Sequence, residues 1–390
     1  MTAALDLADP HTALRHWREH TPVRRHPSSG PGVWYLTRYA DVRRALHDPG
    51  LARELDRLPA ELAAPYRRWG GDPFAALRRN VFHLDPPDHT RLRRLIAPAF
   101  GARRITAVRR RVEQLAGDLL DAAAAAGGPV DVVEQIALPL PVLVTTELVG
   151  LPRDDHRLLR RLSDEMLRSG DFTRSRRAGM DFTTYLQDRL VAPGGLLGEL
   201  AAAEHRGELT RPELLSTVFQ LLMAGDETTV GLITNAVLEL LRHPAQLDRL
   251  RADPALIGTA IEEVLRFNGP VGHAKPLYAL TDLRYGGTTI PRGDSVLPVL
   301  LAANRDPEAF ADPDVFDIGR APNRHLGFGH GIHFCLGAEL GRIQARAVVG
   351  ALVRRFPALA LAVEPHELPP QPDLFLQGVR RLPVWLAGPP

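Results

Sequence analysis

A long apolar segment, residues 212–241, limits the folds open to this chain. Thr210 can cap its N-terminus and Pro212 suits a first-turn position, so the segment is predicted to form one helix. Apolar residues surround it on most sides, which is typical of a helix that runs through a core. The fold must therefore pack other elements around this helix, and 390 residues are enough to do so.

The rest of the chain predicts a mainly α fold with a small β region. Runs rich in β-branched or aromatic residues predict strands at 33–37, 283–285, 288–290 and 296–299. Further helices are predicted at 41–46 with Asp41 as N-cap, at 91–120, at 157–190 with a break near Gly170, at 255–267, and from Cys335 to Arg355. Because helices and strands alternate without a linker or repeat, we expect a single domain over residues 1–390.

Composition excludes several classes of protein. The net charge is only +2, so nothing calls for a nucleic-acid partner. A single cysteine cannot form an internal disulfide, and Asp6, Asp9 and Pro10 rule out a signal-peptide apolar region, so we expect a cytoplasmic protein. No apolar run approaches the roughly 18 residues of a membrane span. We expect a monomer that does not contact a membrane.

The sole cysteine lies in the segment Gly327-Phe-Gly-His-Gly-Ile-His-Phe-Cys335-Leu-Gly337. A lone cysteine is often an inert buried residue, and a cysteine near histidine can be a nucleophile. The glycines favour a metal ligand instead, because they permit a tight turn and the close approach of a flat molecule. The start of a helix stabilises a thiolate, and a thiolate suits a haem iron, where it favours O–O cleavage.

A second motif, residues 224–229 (Ala-Gly-Asp-Glu-Thr-Thr), lies midway along the long apolar helix. A buried acid is costly unless it is hydrogen-bonded or faces a cavity. Glycine within a helix costs about 1 kcal/mol relative to alanine, and threonine can bend a helix. Three unfavourable features together predict a functional distortion of the helix, with a solvent-exposed bend as the alternative.

Phe328, Gly331, Cys335 and Gly337 match the signature Phe-x-x-Gly-x-x-x-Cys-x-Gly, and the chain is identified as a member of the cytochrome P450 family, of the soluble, actinomycete-like bacterial type. The resemblance runs over essentially the whole chain, from about residue 34 to residue 386, and implies the P450 fold. It also implies that Cys335 is the axial ligand of heme b (iron protoporphyrin IX), with Phe328 packed close to it. Gly337 would leave room for the macrocycle.

The same resemblance assigns roles to the motif in the long helix. Glu227 and Thr228 match the family's acid–alcohol pair, which relays protons to dioxygen. Ala224 and Gly225 would leave room for oxygen beside the haem. Keeping both members of the pair favours full oxygen activation.

A structural triad follows from the family pattern Glu-x-x-Arg. Glu263 and Arg266 are three residues apart on a predicted helix and share a face. Arg320 matches the third member of the family's network. The three side chains are expected to fix the loop below the haem and to take no part in the chemistry.

Several residues are expected to bind the haem propionates. His89 and Arg93 are four apart on a predicted helix, so both can face one anion, with a solvated basic face as the alternative. By resemblance His333 contacts a propionate, and its alternative is a turn histidine that faces solvent. The family's further propionate arginine is replaced here by Leu277. Lys275, the only lysine, is the expected substitute, unless it faces the substrate pocket with His273.

The resemblance also implies partners. The substrate would be a small or medium organic molecule, oxidised with O2, and the electrons would come from a separate ferredoxin and ferredoxin reductase. A basic face could steer an acidic ferredoxin, although these side chains could equally be ordinary surface arginines: Arg103, Arg104, Arg109, Arg110, Arg342 and Arg346. The substrate pocket is expected to draw on residues 51–80, 162–189, 217–223, 269–275 and 374–377.

Three functions remain open from the sequence. The first is a monooxygenase that hydroxylates or epoxidises a specialised metabolite. The second is a haem enzyme that couples aryl or carbon centres, on a peptide for example. The third is a non-catalytic member that only binds a partner, and loss of the cysteine would mark it, whereas Cys335 is present.

Overall fold

The computed structural model describes residues 9–27, 32–68, 77–167, 171–372 and 374–388, and the predicted mainly α fold with a small β region is confirmed. The α-helices are α1 (Pro10–His20), α2 (Tyr39–Ala45), α3 (Ala60–Arg68), α4 (Asp88–Ile96), α5 (Ala102–Ala125), α6 (Pro139–Val149), α7 (His156–Leu167), α8 (Phe172–Arg189), α9 (Gly195–His205), α10 (Arg211–Arg242), α11 (Pro244–Ala252), α12 (Ile257–Phe267), α13 (Leu300–Ala303) and α14 (Ala338–Arg355).

The strands are short and form three sheets. They are β1 (Val23–Arg25), β2 (Val33–Leu36), β3 (Leu51–Ala52), β4 (Val130–Asp131), β5 (Leu277–Ala279), β6 (Leu283–Tyr285), β7 (Thr288–Ile290), β8 (Ser295–Pro298), β9 (Ala360–Leu361) and β10 (Pro383–Trp385). The largest sheet has the order β1-β2-β8-β5-β3, in which only the β2–β8 pair is parallel. The others are β4-β10-β9 and the hairpin β6-β7.

The described chain divides into two compact units, each built from separate stretches of sequence. The first takes residues up to Leu58, Val112–Leu140 and the residues from Glu227 onward, and it holds every strand named above. The second takes Pro59–Arg111 and Pro141–Asp226 and is helical. The single-domain organisation stays a prediction.

The five-stranded sheet carries the apolar core of the first unit. Leu36 of β2, Ala279 of β5 and Val296 of β8 are fully buried, and Val42 of α2 packs with them. A smaller cluster joins α1 to α13 through Leu14 and neighbouring apolar residues. This burial fixes the sheet beside the segment that leads to the cysteine.

The long apolar helix is confirmed as α10. Thr210 and Glu213 form a capping box: the Glu213 N–H donates to Thr210 Oγ1 at 3.4 Å, and the Thr210 N–H donates to the Glu213 carboxylate at 2.8 Å. The helix continues without interruption through residues 224–229, and a local distortion there stays a prediction. Of the polar residues of the motif, Glu227 and Thr228 are partly accessible, whereas Asp226 and Thr229 are buried.

Two predicted helix boundaries were also wrong. The segment 91–120 is two helices, α4 and α5, separated by a 3-10 turn at Ala97–Phe100, because Pro98 lacks an N–H and Gly101 is extended. Asp41 does not cap α2, which already begins at Tyr39. Its first N–H, from Tyr39, donates instead to Asp306 at 2.7 Å.

The start predicted for the helix after the cysteine was displaced by three residues. Helix α14 begins at Ala338 and ends at Arg355, and Cys335 lies in the loop before it. The break expected near Gly170 concerns residues 168–170, which lie outside the described residues. Among the described residues, α7 ends at Leu167 and α8 begins at Phe172.

Within the described ranges, no helix is long and apolar enough to cross a membrane.

Candidate functional site

The cysteine loop is a compact turn that presents an exposed thiol. The Cys335 N–H donates to the Phe328 carbonyl at 2.9 Å, which closes the loop. Gly329 and Gly331 have φ of +73° and +75°, the left-handed conformation that favours glycine. These two residues let the chain reverse direction within the loop, and Cys335 is thereby left accessible at its end.

Two further glycines shape the surroundings of the thiol. A Cβ at Gly327 would lie 3.0 Å from the Leu265 carbonyl, so this glycine lets the loop pack on the end of α12. A Cβ at Gly337 would meet no described atom within 4 Å. Packing therefore does not explain Gly337, and its position beside the thiol agrees with a role in admitting a flat group.

The predicted triad is confirmed as a buried network. The Glu263 and Arg266 side chains are both 0% exposed, and the carboxylate accepts two hydrogen bonds from the guanidinium at 2.7 and 2.8 Å. Arg320 Nε donates to the same carboxylate at 3.1 Å. The remaining donors of Arg266 bind the carbonyls of residues 304, 313 and 315, so all five N–H groups are used.

A neighbouring carboxylate, which the sequence analysis missed, holds the cysteine loop more directly. Glu262 accepts two hydrogen bonds from Arg342 at 2.7 and 2.8 Å and lies 3.0 Å from Nε2 of His325. The Arg342 guanidinium lies over the Phe328 ring, 4.5 Å from its centroid. The two adjacent acids of α12 were visible in the sequence, but the sequence did not show that they bind different partners.

Helix α10 has one accessible stripe in an otherwise buried surface. Between Glu213 and Leu240 the positions that are not buried recur every three or four residues, which defines one helical face. They are Gln220, Leu221, Ala224, Gly225, Glu227, Thr228 and Gly231. Four of the predicted site residues, Ala224, Gly225, Glu227 and Thr228, therefore share this accessible face.

Gly225 has a packing role of its own. A Cβ at this position would lie 3.1 Å from Oγ1 of Thr145, a buried residue of α6. That distance is tighter than ordinary van der Waals contact, so the glycine allows α10 and α6 to approach within the second unit.

The two residues of α4 predicted to bind a propionate lie in regular helix, four apart. His89 is buried and Arg93 half-buried, unlike the exposed Arg94. Arg91 donates to Glu213 at 2.6 Å and to Asp88 at 2.9 Å, so its charge is already compensated. A uniformly solvated basic face does not describe this helix.

The departure from the family pattern at Leu277 has a structural basis. Leu277 is buried in β5, pairs with Val296 of β8 and belongs to the sheet core. Lys275 is half-buried two residues earlier. His273 lies beside Phe375, with 5.4 Å between ring centroids.

The predicted site residues are divided between the two units. The first unit holds Lys275, Glu227, Thr228, Phe328, His333, Cys335 and Gly337, and the second holds His89, Arg93, Ala224 and Gly225. Phe328 and Cys335 are joined by a hydrogen bond, and His333 lies in the 3-10 turn Gly331–His333 just before the thiol.

The donor set fits a haem better than a metal ion held by side chains alone. Among the described residues no group of three or more His, Cys, Asp or Glu could hold a metal. A haem iron needs only one axial protein ligand, and an accessible thiol in a glycine-rich turn can supply it.

Acid titration tests the Glu262 network. Burial would raise the pKa of this carboxyl, but hydrogen bonds from Arg342 and His325 outweigh it and lower the pKa from 4.5 to about 2. A depressed pKa stabilises the fold above the unfolded value, and this stabilisation is lost as pH falls from about 4.5 toward 2. Relative to Glu262→Gln, we expect the wild-type advantage in unfolding free energy to fall by about 2 kcal/mol between pH 7 and pH 3.

The measurement is urea unfolding at both pH values. Glu113→Gln, on the exposed face of α5, is the control and should change the unfolding free energy by less than about 0.5 kcal/mol at either pH. A pH-independent difference for Glu262→Gln would contradict the prediction.

Comparison with known proteins identifies relatives over almost the full length. A family model described as Cytochrome P450 matches residues 157–381. The chain is 40% identical to cytochrome P450 107B1 of Saccharopolyspora erythraea, over 96% of this chain and 95% of that protein. It is 40% identical to cytochrome P450 monooxygenase PikC of Streptomyces venezuelae, over 98% and 92%. The solved structure of the bacillaene polyketide synthase cytochrome P450 PksS of Bacillus subtilis superposes with a TM-score of 0.90 at 34% identity, over 99% of both chains.

Proposed function

The chain belongs to the cytochrome P450 family, and on that premise we propose that it inserts one oxygen atom from O2 into a small or medium organic molecule of specialised metabolism. As a family member it has the P450 fold and is a haem-thiolate oxygenase. The observation that carries the proposal is the accessible thiol of Cys335 at the end of its glycine turn. The names of PikC and PksS, a monooxygenase and a polyketide-pathway enzyme, support the reaction type and the class of substrate.

Heme b is the form of cofactor proposed. Covalent attachment through thioether bonds needs further cysteines, and the only one in this chain is assigned to the iron. Cys335 would ligate the metal, while His89, Arg93, His333 and Lys275 would hold the propionates. Bound haem supplies the reductive activation of O2.

The protein's own contribution is proton delivery and shape. Glu227 and Thr228 lie on the accessible stripe of α10, where a carboxyl and a hydroxyl one residue apart can pass a proton toward the reacting oxygen. Ala224 lies on the same stripe with the smallest side chain that a helix former offers. A larger residue there would occupy the space that oxygen needs.

The electron donor is proposed to be a ferredoxin with its reductase. Support comes from the exposed Arg110 of α5 and from the exposed apolar residues Ile332 and Phe334 that flank the thiol. Other members of the predicted basic face are partly neutralised: Arg104 pairs with Glu199, and Arg342 with Glu262. The side chain of Arg103 lies outside the described residues.

The remaining proposals concern the substrate pocket, the domain organisation, the oligomeric state and the location of the protein. The substrate pocket is proposed to use the segments expected from the sequence, of which residues 69–76 and 168–170 lie outside the described residues. A single domain over residues 1–390, a monomeric state and a cytoplasmic location complete the proposal.

Isotope labelling tests the function. Purified protein is first reduced under carbon monoxide to check for the thiolate-type Soret band, and a compound collection is then screened for spin-state shifts. With a binding compound, a ferredoxin, its reductase and ¹⁸O2, one labelled oxygen should enter the product. A product coupled without label would favour the aryl- or carbon-coupling reaction, and absence of the thiolate band would refute the proposal.

Removing the Thr228 hydroxyl should uncouple oxygen consumption from product formation. We expect Thr228→Ala to consume O2 but to release it largely as peroxide, with product per O2 falling by roughly 10²-fold, the usual contribution of a positioned proton donor. The measurement compares O2 uptake, peroxide and product with one substrate.

Thr234→Ala is the matched control for this variant. Thr234 is a buried residue of the same helix, and its hydroxyl donates to the Val230 carbonyl at 2.8 Å within the helix. Its loss should leave coupling unchanged. Equal coupling in Thr228→Ala and wild type would count against the relay.

A further inference from the structure

We propose that His325 is a positioning residue for Cys335: it fixes the turn that carries Phe328 and thereby sets the reduction potential and durability of the iron–thiolate bond. The inference rests on the proposed haem-thiolate function and deepens it. It assigns a role in the proposed site to a histidine ten residues before the thiol.

The two ring nitrogens of His325 make different hydrogen bonds. Nδ1 accepts from the Gly327 N–H at 3.1 Å, and Nε2 lies 3.0 Å from Oε2 of Glu262. Because Nδ1 accepts, the proton must be on Nε2, which donates to the carboxylate. The His325 side chain is only 5% exposed, so water does not replace either partner easily.

The partner of Nε2 is itself immobilised. Glu262 receives both parallel bonds from Arg342, the bidentate geometry that restricts a carboxylate most strongly. Arg342 belongs to α14, the helix that follows the thiol, and Glu262 belongs to α12. His325 is therefore anchored to two helices that lie on either side of the loop in sequence.

His325 is connected to Cys335 through Gly327 and Phe328. The Gly327 N–H that it fixes belongs to the residue before Phe328, whose carbonyl accepts the Cys335 N–H at 2.9 Å. The Arg342 guanidinium lies over the Phe328 ring, 4.5 Å from its centroid. Fixing Gly327 thus fixes the backbone of Phe328, whose carbonyl accepts from Cys335.

The adjacent carboxylates of Glu262 and Glu263 bind different side chains. Glu263 binds Arg266, Arg320 and the Asn323 amide, which restrains the stretch before His325. The two adjacent carboxylates therefore restrain successive parts of the same segment. The Glu262 branch reaches the turn that contains Phe328 at the Gly327 N–H. The triad reaches it at Leu326, whose N–H donates to the side chain of Asn304, the residue whose carbonyl accepts from Arg266.

Loss of this restraint should change the solvent exposure and the position of the Cys335 sulfur. Solvent exposure and the surrounding hydrogen bonds tune the potential of a thiolate-ligated iron. Because His325 is neutral in the arrangement described, its replacement removes no charge from the site. A shift in potential would therefore report a change in the position of the turn.

Three substitutions separate the two hydrogen bonds of His325. Asparagine can place an oxygen near Nδ1 and accept from Gly327, glutamine can place an amide near Nε2 and donate to Glu262, and phenylalanine can do neither. His205→Phe is the control, since His205 is exposed and its Nδ1 lies 2.8 Å from the carbonyl of Ala201 in its own helix. The reduction potential and the rate at which the ferrous carbon monoxide complex loses its thiolate-type Soret band are measured for each.

We expect His325→Phe to lose the thiolate band roughly tenfold faster than wild type, the factor that corresponds to one lost hydrogen bond of about 1.4 kcal/mol, with a shifted potential. His325→Asn should recover most of both properties, His325→Gln less, and His205→Phe should match wild type. Wild-type values in the phenylalanine variant, or equal changes in the asparagine and glutamine variants, would overturn the inference. A wild-type protein without the thiolate band would instead refute the proposed function, and the positioning role with it.

Discussion

Cys335→Ala is expected to abolish the thiolate-type Soret band of the reduced carbon monoxide complex and to remove oxygenase activity. Cys335 is the only thiol in the chain, so no other residue can supply sulfur to the iron. The loss of activity should exceed the roughly 100-fold that removal of an outer-shell partner of a metal ligand causes. The measurement is the difference spectrum, with turnover assayed on any compound that gives a spin-state shift.

The fold should survive this substitution, because the thiol is exposed and buries little apolar surface. Far-UV circular dichroism and thermal unfolding of the haem-free protein should match wild type. His330→Ala is the control from the same loop: its ring lies against His47, at 5.4 Å between centroids, and its loss should leave the thiolate band in place. A thiolate band in Cys335→Ala would refute the assignment of the ligand.

Arg266→Met is expected to destabilise the fold by about 3–5 kcal/mol, a large part of the 5–15 kcal/mol that typically separates folded from unfolded states. The substitution would leave the Glu263 carboxylate buried without its main counter-charge. Three backbone carbonyls in the stretch that leads to the cysteine loop would also lose the N–H groups of Arg266 that donate to them. Urea unfolding of the purified protein gives the free energy, and haem content should fall with it.

An exposed ion pair offers the comparison for Arg266→Met. Arg249 and Asp317 lie 2.7 Å apart, but their side chains are 48% and 39% exposed. Arg249→Met should therefore cost less than about 1 kcal/mol, as is usual for a surface pair. Similar costs in the two variants would mean that the buried network does not stabilise the fold as described.

Motifs confined to a short segment could be read from the sequence. Glu263 and Arg266 are one helical turn apart, so their pairing needs only α12 to form. The cysteine turn likewise depends on glycines within a few residues of one another. The course of α10 followed from its own apolar residues, with Thr210 and Pro212 at its start.

Contacts between distant residues were decided by the tertiary structure. The N–H of Tyr39 that begins α2 is capped by Asp306, 267 residues away, which is why Asp41 was the wrong choice. His325 meets Glu262 across 63 residues of chain. The two adjacent acids of α12 were visible in the sequence, but no local pattern showed that Glu262 would bind His325 and Arg342.

Taken by itself, the sequence determined the helical class of the chain, the thiol and its turn, and the buried acid of the triad. Each of these depends on residues that are near one another in sequence, so that backbone geometry alone brings them together. The tertiary structure decided that Ala224, Glu227 and Thr228 share an accessible stripe of a buried helix, and that a second carboxylate and a histidine brace the turn before the thiol. Which face of a helix stays uncovered, and which distant partner meets a carboxylate, depends on how the other elements pack, and that is a property of the whole chain.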